Sequence, residues 1–108
     1  MKIILAIALI SLISKANAIS VEDLASQFQG YTIISSKVID RWVSQDKREG
    51  KSEFNGCEHG RAIVFTDGTY LICSSYGYQY AYRPTALLLS NGSGFKMIVG
   101  DSVYDMRR

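Results

Sequence analysis

Glu58 and His59 stand side by side in the segment Phe54-Asn55-Gly56-Cys57-Glu58-His59-Gly60-Arg61, next to one of only two cysteines. His59 is the only histidine. It is therefore the one side chain whose ordinary pKa suits a general base near neutral pH. With Glu58, Asp67 and a tyrosine hydroxyl as candidate acids, hydrolytic chemistry would centre on His59. A small secreted hydrolase or inhibitor working near His59 is the alternative function this cluster raises. The chemistry asks for more than the sequence supplies. A catalytic dyad needs a nucleophile, and a metal centre needs three or four ligands. No G-x-S-x-G, H-E-x-x-H, Walker loop or Rossmann fingerprint occurs. His59 is expected to be a surface residue in a turn. No catalytic residue, metal ligand set or cofactor is assigned.

The second chemical feature is a run of rings. Four of the seven tyrosines, Tyr76, Tyr78, Tyr80 and Tyr82, occupy every second position of Ser74-Ser75-Tyr76-Gly77-Tyr78-Gln79-Tyr80-Ala81-Tyr82-Arg83-Pro84. Side chains of an extended chain alternate between faces, so the four rings project from one side and Gly77, Gln79, Ala81 and Arg83 from the other. A helix, with its 3.6-residue period, would scatter them. Such a ladder has two uses. It can cover the edge of a core, since tyrosine favours strands and keeps its hydroxyl near water. It can also form a binding face for a protein, peptide or glycan, because flat amphipathic rings lose little side-chain entropy on contact. Arg83 then adds a charged or stacking contact at the end of the row. Proline at position 84 is expected to keep Arg83 extended.

The third feature is the cysteine pair. Cys57 and Cys73 have one intramolecular pairing open to them, and no C-x-x-C spacing exists. A disulfide closing a loop of about 15 residues is worth roughly 3 kcal/mol in the chain-entropy model. That is a large share of the roughly 5–15 kcal/mol that keeps a domain folded.

A disulfide requires an oxidising compartment, and the start of the chain provides the route to one. Met1-Lys2 precedes an apolar run from Ile3 to Ile13, followed by the small-residue pattern Ala16-Asn17-Ala18. This is the layout of a secretory signal peptide over residues 1–18, with cleavage after Ala18, or after Ala16 as the fallback. The apolar run is far short of the roughly 20 residues that span a bilayer, and no membrane span is expected after cleavage. The protein is thus expected to be exported, either periplasmic or secreted. Residues 19–108 form one small domain. Removing Lys2 and Lys15 takes the 12 Lys+Arg down to 10, against 10 Asp+Glu, so the net charge falls from +2 to zero. Nucleic-acid binding is not expected without a basic excess.

The elements that position these residues follow from patterning. Ser20 can cap a helix in which Val21, Leu24, Ala25 and Phe28 share an apolar face, ending at Gly30. So short a helix must dock to persist. Tyr31–Val43 reads as a long strand whose alternation slips at Ile33-Ile34 and Val38-Ile39, with a bulge expected near Ser35-Ser36. Trp42 is expected to plug the core. Ser44–Glu53, charged in both signs and without an apolar residue, reads as a solvated loop. Arg61–Thr66 and Thr69–Ser74 flank Asp67-Gly68, a hairpin signal. A two-residue turn there would set Phe65 opposite Tyr70 and Ile63 opposite Ile72. Cys57 lies outside that register and must reach Cys73 from a curled loop. Thr85–Ser90 and Phe95–Val99 form a second hairpin around Asn91-Gly92-Ser93-Gly94, and Val103-Tyr104 adds a last short strand. Asn91-Gly92-Ser93 also fits a glycosylation acceptor in a eukaryotic source.

Short strands with frequent turns point to a mostly β fold. The expectation is a small five- or six-stranded, partly open barrel or sandwich with one short N-terminal helix. The alternative is an α+β arrangement with the helix on one face of an antiparallel sheet. The expected function is a small exported non-catalytic binding or envelope-associated module that uses the tyrosine face.

Overall fold

The computed structural model describes residues 20–108. The signal-peptide segment 1–18, with its cleavage positions after Ala18 or Ala16, lies outside the described residues.

The chain folds as a closed six-stranded antiparallel barrel with one extra strand. Among the described residues one helix, α1 (Val21–Gln27), precedes the strands β1 (Thr32–Val43), β2 (Glu49–Lys51), β3 (Glu53–Phe54), β4 (Ala62–Phe65), β5 (Tyr70–Cys73), β6 (Ala81–Tyr82), β7 (Thr85–Ser90), β8 (Phe95–Val99) and β9 (Ser102–Arg107). The sheet order is β2-β1-β4-β5-β9-β8-β7, and β7 returns to pair with β1. Closure is the work of β1. Its first half, Thr32 to Val38, pairs with β7, and its second half, Ile39 to Val43, pairs with β4. Serving two partners requires a bend. The register shifts between Ile33 and Ser35, and again between Ile39 and Arg41. The first shift falls at the Ile33-Ile34 pair, and the second at Asp40, just after the Val38-Ile39 pair. Each shift marks an extra residue in the ladder, and bulges of this kind bend strands around barrels.

Three local expectations differ from what the chain does. The β4–β5 hairpin turns on three residues rather than two: Phe65 N–H donates to Thr69 O at 2.8 Å, and Gly68 takes φ +86°. Ile63 therefore lies opposite Leu71, and Val64 opposite Tyr70. The one-residue change sends Ile63, Phe65, Leu71 and Cys73 inward together and leaves Tyr70 outside. The charged stretch 44–53 is not one loop. A tight turn, with Ser44 N–H donating to Arg48 O at 2.8 Å, returns the chain as β2 along Arg41–Val43. Buried Gly50 then lies against Trp42. Arg83, finally, is not extended. It takes φ +41°, because only two residues separate β6 from β7 and the chain must reverse there.

Helix α1 is capped as its sequence foretells, with Asp23 N–H donating to Ser20 Oγ at 3.1 Å. Its docking is another matter. Val21 is 77% exposed and Ala25 is exposed. The barrel closes over its own core. That core is formed by Ile39, Trp42, Phe54, Cys57, Ile63, Phe65, Leu71, Cys73, Ala86, Leu88, Met97, Val99, Tyr104 and Met106, so Trp42 plugs the core as expected.

Candidate functional site

The tyrosine stretch is a strap laid across the barrel rather than a continuous strand. Its regular pairings are a bridge between Cys57 and Gly77 and the short β3–β6 ladder, where Glu53 opposes Tyr82 and Phe54 opposes Ala81. The alternation holds throughout. Tyr76, Tyr78, Tyr80 and Tyr82 are 76%, 84%, 61% and 71% exposed. Gly77, Gln79 and Ala81, between them, are turned inward and partly buried.

What fixes this face is the inward set. Cys57 N–H donates to Gly77 O at 2.8 Å, and Gly77 N–H returns to Cys57 O at 3.1 Å. Cys57 is itself held by the disulfide to Cys73. Gln79 Nε2 donates to Val99 O at 2.9 Å, while the Tyr104 hydroxyl donates to Gln79 Oε1 at 2.7 Å. Burial raises the pKa of that phenol, so Tyr104 stays a donor. Position 77 favours glycine for closeness alone, since a Cβ there would come within 2.8 Å of Tyr104 Cε1. Small and amide residues anchor the strap below, and the rings stand above.

Beside Tyr76 and Tyr78 opens a cleft of about 520 Å³, lined further by Trp42, Arg48, Asn55, Cys57, Glu58 and Arg61. Arg61 is 4% exposed. Its guanidinium stacks on Trp42, 3.8 Å from the ring centroid. Nε donates to Ser44 Oγ at 2.9 Å, Nη1 to Gly56 O at 3.1 Å, and Nη2 pairs with Glu58 Oε2 at 3.2 Å. Desolvation pulls the Arg61 pKa down, while Glu58 opposes the shift. A guanidinium has five N–H donors, so two remain without a partner among the described residues. Arg48 donates to the same Glu58 Oε2 at 2.8 Å and to Asp46 Oδ2 at 2.6 Å. Its hydrogen bond lowers the Asp46 pKa. The two cations and two carboxylates balance.

Of the residues singled out by sequence, Tyr76 and Tyr78 reach the cleft wall, as do Trp42, Cys57 and Glu58. Tyr80 and Tyr82 continue the exposed row. Arg83, exposed next to Tyr82, lies 3.6 Å from Asp40 Oδ1 and 3.4 Å from Ser52 Oγ. Cys57 and Cys73 form the anticipated disulfide. His59 is exposed, and neighbouring Glu58 is engaged by Arg48, Arg61 and the Ser44 hydroxyl. Asp67 sits at the opposite end of β4, in the turn. Lys37 at 2.8 Å, and then Thr69, hold its carboxyl well below the usual carboxylate range. Asp67 is thus remote from Glu58 and His59, which line a separate pocket of about 230 Å³ together with Tyr76. No group of three or more His, Cys, Asp or Glu side chains suited to a metal ion occurs among the described residues.

Sequence inspection missed the cleft. Arg61 and Arg48 come from different loops and meet only because β2 folds back on β1. The one available signal was an arginine, Arg61, directly preceding a strand of otherwise apolar residues. No protein-family model matches the chain, and no curated protein and no solved structure matches it either.

Proposed function

We propose that the protein is a small exported, non-catalytic binding or envelope-associated module whose working surface is the tyrosine strap. The observation that carries this reading is the exposure of four consecutive alternate rings on a segment anchored from below. A soluble domain normally buries much of so large an aromatic area, and a contiguous exposed patch is a sign of an interaction surface. Anchoring supports the same reading, because a pre-ordered surface loses less entropy on binding. Balanced charge in the neighbouring cleft favours a protein, peptide or glycan partner over nucleic acid. The commitment of Glu58 to two arginines argues against acid–base work at His59. Export to the periplasm or the outside accords with the apolar leader-like start of the sequence and with the disulfide.

The test is capture by the immobilised domain with and without Tyr78→Ala and Tyr80→Ala together. Both positions are exposed, so the double variant should fold as the parent does. The proposal expects a ligand retained by the parent and lost by the variant. Equal retention by both proteins would contradict it.

A further inference from the structure

We infer that the cleft beside Tyr76 and Tyr78 binds a neutral saccharide. The inference rests on the tyrosine strap being a binding surface and assigns the chemistry of its ligand.

Three observations converge. The first is charge. Arg48 pairs with Asp46 and Glu58, and Arg61 pairs with Glu58, so the cleft's ions are matched within the protein. An incoming anion would have to displace Glu58, and an incoming cation would have to displace the arginines. A neutral ligand displaces neither.

The second is unused hydrogen-bonding capacity. Every contact to the Glu58 carboxylate falls on Oε2, leaving Oε1 without a partner among the described residues. Arg61 retains two N–H groups, and Arg48 bonds through Nε and Nη2 only. The Asn55 amide, also on the wall, has no partner among the described residues. Residues with spare donors and acceptors thus line one space. A sugar hydroxyl both donates and accepts, so adjacent hydroxyls match such a set.

The third is the pair of rings. Tyr76 and Tyr78 are exposed aromatic rings on the wall beside these polar groups. The axial C–H face of a pyranose is likewise flat and apolar, while its rim carries the hydroxyls. The cleft volume of about 520 Å³ falls among small-ligand sites.

The test uses the disulfide-bonded mature domain and four probes: maltotriose, cellotriose, N,N′-diacetylchitobiose and lactose. Two readouts need no label on the sugar. Trp42, the only tryptophan, lines the cleft and reports by fluorescence. Amide shifts at Asn55, Glu58, Tyr76 and Tyr78 report position. At least one probe is expected to give a saturable response, with Kd at or below about 1 mM. That response should be insensitive to added salt, because the ligand carries no charge. Tyr78→Ala should weaken it about tenfold or more, Tyr78→Phe by less than about threefold, as expected when the ring face carries the contact. Tyr70→Ala should leave it unchanged, since Tyr70 lines a separate cleft with Ile34 and Leu88.

Silence from all four probes up to about 10 mM, where a Kd of several millimolar would still register, overturns the inference. So does a response that Tyr78→Ala leaves intact, or one given only by an acidic peptide or a uronic acid dimer and lost with salt. Silence together with a partner captured through Tyr78 and Tyr80 would sink the saccharide alone. Silence with no such capture would sink the binding surface as well.

Discussion

Replacing Gly77 with alanine tests how the tyrosine face is held. The new methyl carbon would lie 2.8 Å from Tyr104 Cε1. Neither side yields easily. The Tyr104 ring is buried, meets Phe54 edge-on at 5.4 Å, and is tied by its hydroxyl to Gln79. The backbone of residue 77 is fixed by two hydrogen bonds to Cys57, which the disulfide holds in turn. Gly77 does not take a positive φ, so alanine's own backbone preference is satisfied and the contact alone is at issue. Overpacking of this kind costs about 1–3 kcal/mol. Against it stands the gain of about 0.4–1 kcal/mol from a less flexible unfolded chain. If the strap lifted away instead, it would lose both bonds to Cys57 and both through Gln79, at about 1 kcal/mol each. Local crowding is therefore the cheaper response, and the net loss should be about 1–2 kcal/mol. In a domain of this size that lowers Tm by about 4–16 °C. Urea unfolding followed by Trp42 fluorescence measures the loss, and amide shifts at Gln79 and Tyr104 locate it. A variant as stable as the parent to within about 0.5 kcal/mol would refute the anchoring argument.

Three further perturbations follow from the same geometry. Removing the disulfide with Cys57→Ser and Cys73→Ser should cost about 3 kcal/mol, and amide exchange should rise at Gly77 and Gln79 before it rises in β8; uniform loosening would count against a local clamp. Arg61→Ala removes the Trp42 stack and orphans the buried Gly56 carbonyl, so a loss of about 2–4 kcal/mol in chemical unfolding is expected, and a neutral result would mean that the buried arginine contributes nothing net. Asp67 titrates below its ordinary range in the folded chain, so its contribution is present above about pH 4, the unfolded value, and fades as pH falls through the depressed folded one; Asp67→Asn should flatten that acid limb of the stability profile, and an identical acid limb would show that the Lys37 pairing is immaterial.

Much of the architecture follows from alternation, and its departures are instructive. Ile33-Ile34 and Val38-Ile39 break the period of two; the first coincides with a bulge and the second directly precedes the bulge at Asp40, and the two bulges let one strand serve two neighbours. The hairpin at Asp67-Gly68 was legible as a hairpin but not in register. An Asp-Gly pair fits both a two-residue turn and the observed turn with glycine in its third position, and the difference of one residue reassigns every facing pair. Strand β2 was illegible because its charged side chains flank a glycine that packs on Trp42 through backbone alone. The strap was visible as a row of rings, since a period of two survives without regular ladder pairing. The cleft was not visible: Asn55, Glu58 and Arg61 recur every third residue, a period that matches no strand face, and only the return of β2 and the curled Cys57 loop bring Arg48 to them. Arg83 misled because the restriction imposed by a following proline yielded to the short connection into β7.

The account stands most directly on whether the four rings of the strap are open to solvent together in the oxidised domain. Photo-CIDNP NMR with a flavin dye measures this ring by ring. Strong polarisation of Tyr76, Tyr78, Tyr80 and Tyr82, with a silent Tyr104, is the predicted result. Silence from the four strap tyrosines in a monomeric sample would contradict it, because rings that the dye cannot reach cannot serve as a binding face.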